Sequence, residues 1–449
     1  AQKKVEQRNF EIRKSLLEYD EVMDHQRKTF YSRRRKILAG KGLKAILHEM
    51  IESAIHEACT TFLDPQYPTT CMIEWARQTF DVEIRPSDIQ GVRTDEVERL
   101  VKDKAKDAVT SKISLSLGEY IEDENDPATW DVEGLKQWAM SGFRVNLSAA
   151  KVKQQRPEEI EQTLVAAAVE QIEKRDCSPL AEFQQEGFAA RRLADWAKGK
   201  FGITLDLSDL KAVRAEPIQQ RLVQAAEERY RQREIEYPVE YAMNMIFGPQ
   251  GPNVYAFDSL AQWANRKYGV EWTADQIQAL PPKTLHKQLL DLSTAFQNGQ
   301  VRTQIEDRAR RLDRPAFVAW FNERFRASLS EQDLGEGPQA DERLMAAARE
   351  FMRSELSDLE RYVLLQVCDM TWKDHLYAMD HLKDSIWTRS FAEKDPKVEY
   401  KREGYRMFNT MLKAIEERVT DIIFKVHLES GARSRSVWNV SQTSHDQVG

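Results

Sequence analysis

The stretch that decides the fold runs from Leu364 to Leu412: LLQVCDMTWKDHLYAMDHLKDSIWTRSFAEKDPKVEYKREGYRMFNTML. Leu356, Leu359, Val363 and Met370 lead into Trp372, Leu376, Met379, Leu382 and Ile386 with no Gly or Pro between them. That spacing lays one apolar stripe along a helix. A short turn follows from Thr388 to Pro396, and then Phe408, Met411, Ile415, Val419, Ile422 and Val426 recur at steps of three and four. Two long amphipathic helices joined by so short a turn must run antiparallel, which predicts a helical hairpin with an exposed tip. The tip presents Trp387, Arg389, Phe391 and Lys394. Each aromatic ring left in water forgoes about 2 kcal/mol of burial. The tip therefore reads either as a surface for a partner or as rings folded back onto the hairpin.

The opening of the chain has the same character. Residues 3–38 contain no Gly or Pro, and Ile12, Leu16, Tyr19, Met23, Phe30 and Ile37 form one stripe. The pattern predicts a helix of about ten turns, roughly 50 Å long. A helix of that length is either a coiled-coil arm or a spine for other domains. Up to Lys41 there are 12 Lys and Arg against 6 Asp and Glu, so its polar face is basic: a solvated face, or a contact with an anionic surface. Gly40 and Gly42 end the pattern, where a left-handed cap is easily formed.

Between these ends five segments align without gaps on Trp75, Trp138, Trp196, Trp263 and Trp320. Three residues before each stands Met72, Leu135, Leu193, Leu260 or Phe317, and five after it Phe80, Phe143, Phe201, Tyr268 or Phe325. The first spacing marks one face of a short helix. The aromatic then opens an aromatic-x-apolar-x-apolar run with the period of an extended segment. N-cap types follow at Ser148, Asp206, Thr273 and Ser330, and a further helix begins near Leu100, Leu164, Leu222, Leu289 or Leu344. The intervals of 63, 58, 67 and 57 residues make each unit a small helical subdomain with its tryptophan in the core. The stretch Met243–Asn253 is a candidate hinge.

Composition agrees with an all-α chain. Over 449 residues, hydrophobic side chains make up 41% and charged ones 31%, with only 18 Gly and 15 Pro. The net charge of -7 gives no global field for nucleic acid. Cys59, Cys71, Cys177 and Cys368 have no metal or disulfide spacing. GKGLK at Gly40 lacks the first Gly and the Ser or Thr of a P-loop, and DEVM at Asp20 lies inside a continuous helix instead of following a strand. His375 and His381 are six apart and fall on different helix faces, so they form no metal pair. The residues alone describe a helical scaffold with interaction surfaces, not an enzyme.

The two ends resemble the C-terminal half of the SecA preprotein translocase family. AQKKVEQRNFEIRKSLLEYDEVMDHQRKTFYSRRRKIL resembles the start of that family's helical scaffold, and WKDHL, MDHLK, EKDPKVEYKRE and MF match its second block. The resemblance implies a scaffold segment at 1–43, a helical wing at 44–355 expanded about fivefold, a second scaffold segment with a two-helix finger at 356–428, and a disordered linker at 429–449. It implies that the finger reaches into the SecYEG channel and touches an unfolded preprotein. Phe391 stands where the family has a Tyr, flanked by Arg389 and Lys394, and Trp387 replaces a His. Asn9, Phe10, Arg13, Tyr19, Asp20, Trp372 and His375 then face the nucleotide-binding and preprotein cross-linking domains. ATP and magnesium belong to those upstream domains, so hydrolysis is expected of the parent protein and not of this chain. The resemblance places the protein in the cytoplasm, peripheral on the inner membrane, and leaves room for a homodimer and an anionic lipid surface. The alternative is a stand-alone helical repeat adaptor without motor activity.

Overall fold

The computed structural model describes residues 2–40, 42–122, 126–205, 215–247, 255–333, 338–386 and 395–426. Among them every long regular element is a helix: α1 (Gln2–Leu38), α2 (Leu43–Phe62), α3 (Tyr67–Phe80), α4 (Thr94–Tyr120), α5 (Val132–Phe143), α6 (Pro157–Glu173), α7 (Phe188–Phe201), α8 (Ala215–Phe247), α9 (Ala256–Tyr268), α10 (Pro282–Ala295), α11 (Val301–Arg311), α12 (Arg314–Phe325), α13 (Pro338–Met352), α14 (Ser354–Ile386) and α15 (Pro396–Ile423). None is long and apolar enough to cross a membrane. Gly40 and Gly42, just past α1, both take positive φ.

The chain divides into two compact units, one of residues 57–196 and 204–218, the other of 1–56, 197–203 and 219–449. In the first, α4 serves two cores. Val97 and Val101 pack with Trp75 and Phe80, whereas Ile113 and Leu117 pack with Trp130, Leu135 and Leu164. In the second unit, the segments around Trp263 and Trp320 share a single core that includes Leu260, Tyr268, Leu289, Phe321 and Phe325.

The five tryptophan helices end alike. Six residues after each tryptophan stands a left-handed residue: Asp81 (φ 56°), Arg144 (55°), Gly202 (71°), Gly269 (69°) and Arg326 (49°). At the end of α5 the Arg144 N–H bonds to the Met140 carbonyl and the Val145 N–H to that of Ala139, so the last turn is closed before the chain extends. Asn265 reinforces the next run. Its Oδ1 accepts from the Trp272 N–H and its amide donates to the Trp272 carbonyl, both at 2.8 Å. Asn322 clasps Leu329 the same way, at 2.8 and 2.9 Å.

The positions buried in every copy are those three before and five after each tryptophan, whereas the indoles vary. Trp75 is buried, but Trp138, Trp196, Trp263 and Trp320 are only partly so. In four copies the indole lies edge-on to the aromatic five residues later, as for Trp138 and Phe143 at 5.1 Å. Such pairs add about 0.5–1.5 kcal/mol beyond area burial. Trp263 also has a polar task, since its indole N–H donates to Glu355 Oε1 at 2.8 Å. Five fully core tryptophans is thus too simple a picture. Met370, expected on the buried stripe of α14, is 48% exposed, because the buried face passes through Val367, Cys368, Thr371 and Trp372 instead.

Candidate functional site

Helix α14 packs along α15, and α1 lies against both. The contacts fix direction: Trp372 faces Phe408 with ring centroids 6.5 Å apart, Met379 faces Gly404, and Ile386 shares a core with Tyr400. Rising numbers on α14 meet falling numbers on α15, so the two helices are antiparallel.

The long helix enters this pair through Tyr19, Met23, Gln26 and Phe30, spaced four, three and four apart. Tyr19 packs edge-on against Tyr400 at 4.7 Å, and Phe30 stacks nearly parallel on Trp372 at 4.4 Å and 8°. Between them lies Gln26, a buried polar residue where the apolar stripe would have had a hydrophobe. Its side-chain nitrogen donates to the Gly404 carbonyl at 2.9 Å, and its oxygen lies 2.9 Å from His375 Nε2. A carbonyl oxygen can only accept, so the amide nitrogen must face Gly404 and the amide oxygen His375. The imidazole proton is thereby fixed on Nε2. One glutamine joins all three helices.

Gly404 lies close against both neighbouring helices. A Cβ there would lie 2.9 Å from Met379 Cε and 3.5 Å from Val22 Cγ1. At the rim, Arg34 grips Asp369 with two bonds of 2.6 and 2.8 Å, and Lys397 reaches Glu18 at 2.5 Å. Exposed pairs of this kind contribute little to stability.

Burial governs the ionisation of the junction. His375, between the Trp372 and Phe408 rings at 5.5 and 5.7 Å, has its pKa lowered to about 4 by desolvation, which keeps it neutral near pH 7. Burial likewise pushes the Tyr400 hydroxyl up to about 12, and the nearby Asp380 and Asp20 add to the shift. Among the described residues the arrangement pairs no nucleophile with a base, and it fixes the register of a long helix on an antiparallel helix pair.

Of the residues singled out from sequence, Tyr19, Trp372 and His375 are buried in this junction, while Phe10, Arg13 and Asp20 are exposed on α1. The side chain of Asn9, and Trp387, Arg389, Phe391 and Lys394, lie outside the described residues, as does Asp206. Sequence reasoning missed Gln26 and Gly404. Two signals were available: a polar residue in register with Tyr19, Met23 and Phe30, and a lone glycine within α15.

The SecA Wing and Scaffold domain family matches residues 1–115 and 274–427. Protein translocase subunit SecA 1 of Rhodopirellula baltica is 33% identical over 476 aligned residues, covering 100% of this chain and 38% of that protein. Protein translocase subunit SecA of Bifidobacterium longum is 44% identical over 90 residues, 20% of this chain and 9% of that protein. The Heliobacterium modesticaldum subunit is 36% identical over 126 residues, 26% and 15% of the two chains. The chain thus spans well under half the length of these relatives. With its long helix spliced to an antiparallel helix pair, and more than half its residues matched, the chain belongs to the SecA Wing and Scaffold domain family.

Proposed function

We propose that this chain is the force-transmitting part of a SecA-type translocase, which converts motion of an ATP-hydrolysing motor into displacement of a preprotein at the tip between α14 and α15. The observation that carries the reading is the Gln26 splice. A movement applied to α1 reaches the hairpin through Gln26, Phe30 and Tyr19 without an intervening loop. The names of the relatives, protein translocase subunits, support it.

In this reading nucleotide and magnesium are held by the nucleotide-binding domains of the parent protein. The exposed Phe10, Arg13 and Asp20 on α1 meet those domains and the preprotein cross-linking domain. The tip, with Phe391 between Arg389 and Lys394, enters a SecYEG-type channel and touches the unfolded chain, and the protein works at the cytoplasmic face of the inner membrane. The test is Phe391→Ala in the full-length protein. Translocation into channel-containing vesicles is expected to fall about tenfold with basal ATP hydrolysis and melting temperature unchanged, the pattern of a lost contact at the working end. An unimpaired export rate would sink the assignment.

A further inference from the structure

The hairpin has a second end, its root, where α14 begins and α15 stops. Residues 116–273 lie between the two stretches matched by the family, and part of that segment grips this root. Tyr230 of α8, almost fully buried, donates its hydroxyl to Glu360 of α14 and sets its ring 6.4 Å from Phe424, just past α15. One side chain therefore touches both legs. Glu234, one turn further along α8, accepts from Arg353 Nε at 3.1 Å and from Lys44 of α2 at 2.8 and 3.0 Å.

Arg353 is the one-residue break between α13 and α14, and it also pairs with Glu360 at 2.8 Å. Two carboxylates, Glu234 and Glu360, are thus balanced by two cations, Arg353 and Lys44. Lys44 is half exposed, but Arg353, Glu234 and Glu360 are largely buried, and removing one of these is costly because it leaves a charge uncompensated in low dielectric. The other leg is held as well. Lys200 pairs with Asp421 at 3.2 Å, Phe201 packs on Phe424 at 5.2 Å, and Arg233 donates to the Val426 carbonyl.

We propose that residues 197–203 and 219–247, which lie outside the family-matched stretches, brace the root of the hairpin and set its angle against α1, with Tyr230 and Glu234 as positioning residues. The splice at Gln26 holds the hairpin midway along its length, and the brace holds it at the base. Two separated points of attachment define an orientation, which one cannot. The brace follows from these contacts alone. Its consequence for coupling rests on the force-transmitting reading above.

The experiment has two arms. Amide hydrogen exchange is measured on the 449-residue chain carrying Tyr230→Phe, which keeps the ring but deletes the hydroxyl's bonds to Glu360 and Arg353. Exchange in the first turns of α14 and the last turns of α15 is expected to quicken about tenfold, while the stretch of α1 around Gln26 stays protected. Should Tyr230→Phe fail to fold, Glu234→Gln, which keeps shape and removes charge, gives the same comparison. Unchanged exchange in both legs would overturn the brace. In the full-length translocase the same variants are expected to lower preprotein-stimulated ATP hydrolysis several-fold with the basal rate intact. Loosened legs with a wild-type ratio of stimulated to basal rates would leave the brace standing and overturn its role in coupling.

Discussion

Gln26 and His375 stand 349 residues apart in the chain and meet side chain to side chain at 2.9 Å, inside a junction that contains no other polar side-chain pair among its described residues buried to the same degree. The bond gives the junction a single register. Sliding α1 by one turn would leave Gln26, His375 and the Gly404 carbonyl without this arrangement, and an unmet buried polar group costs about 1–3 kcal/mol.

The same pair predicts a pH dependence. The folded pKa of His375 is about 4 against 6.5 for the exposed ring, so between these values the unfolded chain binds more protons. The stabilisation is present in full above pH 6.5 and is lost as pH falls toward 4. Denaturant titrations at pH 7 and pH 4.5 should show the native protein losing on the order of 2–3 kcal/mol from this group, and His375→Gln losing correspondingly less. Equal losses in both proteins would refute the assignment.

Gly404 offers a graded test. In Gly404→Ala the new methyl meets only the mobile end of Met379, and the gain in helix propensity, about 1 kcal/mol, offsets the adjustment. Stability should therefore change little. Gly404→Leu has no such escape and should cost several kcal/mol through overpacking against Met379 and Val22. The check is the midpoint of urea unfolding for both variants.

Phe30→Ala removes a ring stacked on Trp372 in a fully packed site. A loss of about 3–5 kcal/mol is expected, whereas Asp369→Ala at the exposed rim should cost under about 1 kcal/mol. Comparable costs would mean that the rim, and not the ring stack, holds the helices together.

The left-handed helix ends predict a gain. Arg144 and Arg326 adopt a conformation that disfavours side chains, with φ 55° and 49°. Replacing either by Gly relieves about 1 kcal/mol of strain, partly offset by the freer unfolded chain, for a net rise of about 0.5 kcal/mol. Calorimetry of Arg144→Gly and Arg326→Gly would show the melting temperature rise by a degree or more, or contradict the reading.

Much of the all-helical character was legible, because runs such as 3–38 and 356–386 hold their apolar residues at helical spacing without Gly or Pro. Periodicity tells which face of a helix is buried but not what covers it. For that reason Gln26 and Gly404, whose partners lie hundreds of residues away, could not be recognised as a pair. The shared left-handed joint escaped notice because Asp81, Arg144 and Arg326 hide it behind side chains that seldom adopt that conformation. Nor does any local pattern disclose that the two halves of α4 belong to different cores, or that Trp263 reaches Glu355.

The buried groups Arg353, Glu234 and Glu360 differ from the rim pairs in their response to electrolyte. At about 0.15 M salt the screening length is near 8 Å, short enough to weaken Arg34–Asp369, Lys397–Glu18 and the half-exposed Lys44–Glu234 contact, but of little effect on the buried Arg353–Glu360 pair. Rising ionic strength should therefore soften the edge of the long helix while the base of the hairpin keeps its hold. The two attachments have separate sensitivities to the same solvent, and the one at the base of the hairpin is the more indifferent to it.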